Sequence, residues 1–121
     1  MKKFIDWDIE INGRWLDAAH SFGYHLFKQM RADRIAALPI QLSNSEREVA
    51  IKAIDDTIYT FMMMFDGIYK FDIDNDHSAE YALIQRIRDN NDDVVSEIEL
   101  APDGDELTIG FHGWKENDFG E

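Results

Sequence analysis

Apolar and polar residues alternate strictly over residues 4–11, so that every second side chain is apolar: Ile5, Trp7, Ile9 and Ile11. A period of two is typical of a β-strand. Asn12-Gly13 follows directly, and both residues tolerate the positive φ of a tight turn. The pattern therefore predicts an N-terminal strand that ends in a turn.

A helical period begins after this turn. Apolar residues recur at intervals of three and four, which marks one face of a helix over about 14–32: Trp15, Ala19, Phe22, Leu26 and Met30. The pattern leaves continuation to Ala37 open, and Pro39 closes the segment. Gly23 lies in the interior of this helix, where it favours close approach of a second helix.

A second helix has the clearest start signal in the chain. Ser45 with Glu48 three residues later fits a capping box, and Gly67 after Asp66 suits a left-handed C-terminal cap. Between them runs an apolar stripe: Ile51, Ile54, Ile58, Phe61, Met62 and Phe65. Four further residues widen that stripe: Ala50, Ala53, Thr57 and Met64. We expect this helix to be central to the core.

The alternation of a strand returns after Gly67. Residues 80–88 favour a strand over a short helix, although Ala82-Leu83 suits either. Residues 94–112 predict a hairpin, because two alternating runs flank the turn sequence Pro102-Asp103-Gly104-Asp105. Trp114 and Phe119 indicate that part of the terminal segment packs against the domain.

These elements predict one α+β domain over residues 1–121. Two N-terminal amphipathic helices, within about 14–66, pack on an antiparallel β-meander within about 68–112, to which the N-terminal strand can be added. Residues 113–121 form a partly ordered tail. The predicted core joins the second helix to the sheet through Ile54, Ile58, Phe61, Phe65, Ile98, Leu100, Ile109 and Phe111.

Few residues suggest catalytic or metal chemistry. The chain has no cysteine, which excludes disulfides, thiolate zinc sites and cysteine nucleophiles. The segment 72–76 begins like a calcium loop, but His77 and Leu83 occupy the positions of its glycine and bidentate glutamate, so a solvated hairpin turn is favoured. No serine lies in a Gly-x-Ser-x-Gly elbow. We expect no metal and no cofactor.

The histidines leave one enzymatic alternative. His20 and His25 are five residues apart, which does not place them on one helix face. A small enzyme or ligand-binding protein would have to assemble its site in the fold from these two, His112 and nearby carboxylates. Without a motif, we favour a non-enzymatic protein.

The charge distribution is the most informative feature. The formal net charge is −13. Residues 1–71 carry nine basic and ten acidic side chains, whereas residues 72–121 carry three basic and fifteen acidic ones. So acidic a protein repels phosphate, which argues against direct binding of nucleic acid or of an anionic membrane. The excess serves either solubility or recognition of a basic protein surface.

We expect an acidic face on the sheet half to bind such a surface through Glu97, Glu99, Asp103, Asp105 and Glu106. The overall profile is similar to that of toxin-neutralising immunity proteins and other acidic inhibitors, although no motif identifies such a family. The same profile would also suit a nucleic-acid mimic or a structural subunit of a larger assembly. A short N-terminal apolar run, interrupted by Asp6, and the lack of a long one elsewhere lead us to expect a cytoplasmic protein.

Overall fold

A computed structural model describes residues 1–120 and confirms the α+β class, with helices first in sequence. A 3-10 helix at Phe4–Asp6 precedes α1 (Ile11–Tyr24), which runs without a break into a π-helical segment (His25–Arg31) and α2 (Ala32–Ala36). The remaining elements are α3 (Asn44–Phe65), β1 (Phe71–Asp72), β2 (Ser78–Ala79), β3 (Leu83–Arg88), β4 (Val94–Ala101) and α4 (Leu107–Lys115).

The predicted N-terminal strand over 4–11 is wrong. Its residues form the 3-10 turn, and Asn12-Gly13 lies inside the first turn of α1. Of the four alternating apolar side chains only Trp7 is buried. The Asp17 carboxylate of α1 accepts a hydrogen bond from the Asp8 backbone N–H at 2.8 Å, so this segment is attached to a helix instead of a neighbouring strand.

The first helix follows the predicted periodicity and continues to Ala36. Gly23 allows the close helix approach that its position suggested, and the partner is α4. A Cβ added at Gly23 would lie 2.2 Å from Cδ2 of Trp114. Glycine is therefore required where α1 crosses α4.

The N-cap of the second helix lies two residues earlier than predicted. Ser43, and not Ser45, is the N-cap: its hydroxyl accepts from the Glu46 N–H at 3.1 Å, and the Glu46 carboxylate accepts from the Ser43 N–H at 3.0 Å. The capping box therefore pairs Ser43 with Glu46 in place of Ser45 with Glu48. The predicted end is confirmed, since Gly67 follows α3 with φ of 77°.

The strands form two separate two-stranded antiparallel sheets, β1–β2 and β3–β4, where one meander was expected. The strand within 80–88 is confirmed as β3. The hairpin predicted over 94–112 is wrong. β4 pairs with the preceding strand β3, with Gln85 opposite Ile98, and residues 107–115, which were expected to form the second strand, are helical.

The core surrounds α4, which packs between α1 and α3 and near the end of β4. Its buried apolar side chains include Ala18, Phe27, Leu100, Leu107, Phe111, Trp114 and Phe119. The predicted core is partly wrong. Leu100 and Phe111 are buried, but Ile109 is 71% exposed and Phe61 is 56% exposed, while the other four predicted members are half-buried.

This arrangement makes α3 more peripheral than its apolar stripe predicts, because only Asp55 and Met62 of α3 are buried. In residues 1–120, no helix combines the length and the hydropathy needed to cross a bilayer.

Candidate functional site

An acidic cleft of about 460 Å³ separates the start of α1 from β4 and the loop that follows it. Its walls include four of the five carboxylates that the sequence analysis selected: Glu97, Glu99, Asp103 and Asp105. Two of them lie on β4 and two on the loop before α4. A volume of this size falls in the range of ligand-binding clefts, so the fold gathers these carboxylates around an accessible space.

The indole of Trp15 forms an apolar wall of the cleft. Its Nε1–H donates to the Leu100 carbonyl at 3.2 Å, which fixes the ring against the end of β4. Gly104 lies so close to the ring that an added Cβ would be 1.8 Å from Nε1. Ile11 and Ile98 also line the cleft. The loop carrying Asp103 and Asp105 is thus packed directly on the indole.

Glu97 already forms an ion pair across the β3–β4 hairpin. It lies opposite Arg86 in the β3–β4 register, and its Oε2 accepts from Arg86 Nε at 2.9 Å. Both side chains are about half exposed, at 49% and 50%. The pair reduces the free charge that Glu97 offers to a partner.

Glu99 and Asp103 are adjacent carboxylates of the cleft that interact directly. The Asp103 backbone N–H donates to Glu99 Oε2 at 3.3 Å. A hydrogen bond with the Asp103 side chain raises the pKa of Glu99, and desolvation and the negative charges of Asp103 and Glu80 act in the same direction, against a smaller opposing effect of the Asp103 backbone N–H. Crowded carboxylates of this kind are stabilised when a cation enters between them.

Glu106 is the fifth predicted contact, and the structure places it outside the group that lines this cleft. It is the N-cap residue of α4, where its side chain makes no capping hydrogen bond. The alternation of residues 107–111 predicts a strand, which would put Glu106 on the same face as Glu97. The helix removes that relationship.

Arg14 is the one cationic side chain that lines the cleft among residues 1–120. It is directed toward other groups: its guanidinium lies 5.0 Å from the centre of the Phe4 ring and 5.9 Å from that of Trp7, and one nitrogen lies 3.5 Å from Ser96 Oγ. The carboxylates therefore outnumber the positive charge at the cleft four to one.

Trp15, Arg14 and Ile11 line the cleft without any sequence signal that places them there. They lie 79 to 83 residues before the start of β4, and the alternation over residues 4–11 predicts a strand at Ile11. No local pattern contains the contact between Trp15 and Leu100, so only the tertiary fold identifies the apolar wall.

The histidines of the enzymatic alternative have different surroundings. His20 is half-buried on α1, and its Nδ1 accepts from Trp114 Nε1–H at 3.0 Å. Burial lowers the pKa of His20, and Lys2 adds to this, while Asp118 and Asp17 oppose it. His25 lies exposed beside Tyr24, and His112 lies beside Tyr59 and Phe111. Aromatic rings contact all three histidines, and they lie in three different parts of the fold and not in one shared site.

The segment 72–76 lies in a β1–β2 hairpin, as predicted, with residues 73–77 as its turn. Asp74 Oδ1 accepts from the Asp76 N–H at 2.8 Å and contacts His77 Nδ1 at 2.7 Å. The Asp74 carboxylate therefore stabilises the turn, and these hydrogen bonds lower its pKa. Over the described part of the chain, no three His, Asp or Glu residues are grouped to hold a metal ion.

No family model matches this chain, and comparison with curated proteins and with solved structures gave no significant similarity to either.

Proposed function

We propose that this chain is a small non-enzymatic protein-binding module whose acidic cleft receives a basic segment of a partner protein. The observation that carries the proposal is the crowding of Glu99 and Asp103 beside the apolar wall of Trp15. A lysine or arginine side chain has a matching form, since its alkyl stem packs on apolar surface while its charged end reaches carboxylates. A cation against an indole gains further attraction.

The remaining charge of the chain supports the same ligand. Residues 72–121 carry the large acidic excess, and a field of one sign accelerates association with a partner of opposite sign. We propose that the module acts in the cytoplasm as an inhibitor that occludes a basic protein surface, in the manner of toxin-neutralising immunity proteins.

The first test uses a lysine hexapeptide as the probe and NMR of the three tryptophan indole N–H groups as the readout. Trp15 lines the cleft, whereas Trp7 and Trp114 are buried elsewhere. We expect saturable shifts at the Trp15 indole and the Gly104 amide, with the other two indoles unchanged. Shifts spread equally over the Asp89–Asp93 loop at the far end of the hairpin would show only non-specific attraction.

The matched variants separate the cleft from net charge. The cleft variant combines Glu99→Lys, Asp103→Lys and Asp105→Lys, and leaves Glu97 paired with Arg86. The control variant makes the same change in charge at three exposed carboxylates outside the cleft: Asp76→Lys, Asp93→Lys and Glu116→Lys. We expect the Trp15 shift to vanish in the cleft variant and persist in the control. Equal loss in both would overturn the proposal.

A further inference from the structure

The outer face of α3 is apolar and uncovered. It consists of Ala53, Thr57, Phe61 and Met64, which we term the outer stripe. The sequence pattern places these residues in the buried part of the helix, yet Ala53 and Thr57 are exposed and Phe61 is 56% exposed. The helix is therefore built to bury a wider face than its own chain covers.

Two clefts flank the middle of this stripe, and Thr57 lies in both. The cleft on the N-terminal side has about 360 Å³ and is lined by Leu26, Met30, Ala53 and Ile54, among others. The cleft on the C-terminal side has about 500 Å³ and is lined by Phe61, Met64, Tyr69 and Phe71, among others. One half of the stripe thus offers a recess beside a small residue, and the other half offers an exposed aromatic ring.

The spacing makes the stripe self-complementary. Ala53 and Phe61 each lie four residues from Thr57, which is about one helical turn in either direction. When two copies pack α3 against α3 in antiparallel fashion around a two-fold axis at Thr57, Phe61 of each copy meets Ala53 of the other. Phe61 then enters the N-terminal cleft, where the exposed Met30 gives it a thioether contact.

Charge also favours a second copy at this surface. Residues 1–71, which supply the stripe and both clefts, are nearly neutral, whereas residues 72–121 would repel the same half of another chain. In the two-fold arrangement the exposed Arg34 of the N-terminal cleft faces Asp56, the one charged residue that lines the C-terminal cleft. Arg31, which also lines the N-terminal cleft, pairs with Asp55 of its own chain, and Asp56 pairs with the exposed Lys52. From these observations we infer that the outer stripe is the interface of a symmetric homodimer with Thr57 on its axis.

Cysteine cross-linking tests the axis directly, because the chain has no cysteine of its own. Identical residues face each other at a two-fold axis, so the Thr57→Cys variant is expected to form a disulfide-linked dimer under mild oxidation. Ile109→Cys, at an exposed position of α4, is the matched control and should stay monomeric on a denaturing gel. Equal cross-linking of both variants, or cross-linking only at Ile109, would overturn the inference.

The mass in solution tests the interface independently. Wild-type protein should sediment as a dimer at high concentration, and Phe61→Glu should raise its dissociation constant by roughly 30-fold or more, as expected for a central aromatic anchor. Ile109→Glu should leave the constant unchanged, and circular dichroism should show both variants folded. A wild-type protein that remains monomeric at every concentration, or a folded Phe61→Glu variant that dimerises normally, would contradict the inference. A purified protein that stays monomeric but binds a different protein through the outer stripe would contradict the inference too.

Discussion

The Asp66 carboxylate at the end of α3 caps the beginning of α4 by accepting a hydrogen bond from the Leu107 backbone N–H at 2.8 Å. Its second oxygen accepts from the Thr108 N–H at 2.9 Å. These two donors belong to the first turn of a helix, where no intrahelical partner exists. The residue at the N-cap, Glu106, makes no side-chain capping bond, so a carboxylate from 41 residues away takes that role.

Removal of this long-range cap should destabilise the whole domain, because α4 is the centre of the core. We expect Asp66→Ala to lower the free energy of unfolding by about 0.5–2 kcal/mol, the range measured for lost caps. Asp66→Asn, which keeps one oxygen acceptor, should lose less. Urea denaturation measures both, with Asp93→Ala as an exposed control. Equal stability of Asp66→Ala and wild type would remove Asp66 from the capping role.

The helical nature of α4 can be tested with two leucine-sized side chains. A strand would place residues 107 and 109 on one face, whereas a helix places 107 and 111 there. Leu107 is 1% exposed and Ile109 is 71% exposed. Leu107→Ala should therefore cost about 2–5 kcal/mol, and Ile109→Ala about 0.5 kcal/mol or less. Similar losses of unfolding free energy in both variants would instead indicate a strand over these residues.

The sequence misassigned α4 for a physical reason. The segment contains Gly110 and Gly113, Thr108 and Ile109 are β-branched, and all four disfavour a helix. Tertiary contacts decide its structure: the Asp66 cap and Trp114, whose indole fills the space that Gly23 leaves on α1. Local periodicity contains neither contact.

Elements that depend on local signals were easier to predict. The period of α1, the cap at Gly67 and the strand β3 are all present, because each depends on neighbouring residues. The candidate site falls between these cases. Strand alternation and turn residues identified Glu97, Glu99, Asp103 and Asp105, but Trp15 joins them only through long-range packing.

Acid should weaken the fold through His20 before it affects the buried aspartates. Burial lowers the pKa of His20 below its ordinary 6.5, so the unfolded chain binds its proton more readily than the fold does. Stability from this group is complete above pH 6.5 and decreases as the pH falls from there toward the lower folded pKa. Protonation would also remove the acceptor for the Trp114 indole.

Urea unfolding at about pH 7.5 and about pH 5.5, on either side of the ordinary histidine pKa, measures this effect. His20→Gln, which keeps an acceptor without a titrating group, should reduce the loss of stability between the two pH values. Burial alone would raise the pKa of Asp17 and Asp55, but hydrogen bonds from the Asp8 N–H and Lys2, and from Arg31 and Lys115, lower both overall. Their contributions should therefore be lost only at lower pH. If His20→Gln lost as much stability as wild type between the two pH values, His20 would not be the group responsible.

The coupling of Glu99 to Asp103 can be measured by a carboxyl carbon NMR titration. Asp103→Asn removes the negative charge beside Glu99, so we expect the pKa of Glu99 to fall toward its ordinary value. Asp93→Asn, at an exposed position near the far end of the hairpin, is the control and should leave the pKa of Glu99 unchanged. A Glu99 pKa that does not respond to Asp103→Asn would show that the two groups are not coupled.

The most direct test of the central claim is the association rate constant of this protein with a partner captured from native cell extract. Steered association slows as salt shortens the screening length from about 30 Å at 0.01 M to about 8 Å at 0.15 M. We predict that the folded variant with lysine at positions 99, 103 and 105 associates much more slowly than wild type, whereas the control with lysine at positions 76, 93 and 116 retains most of the wild-type rate. Equal rates for the cleft variant and wild type would show that the acidic cleft does not recognise the partner.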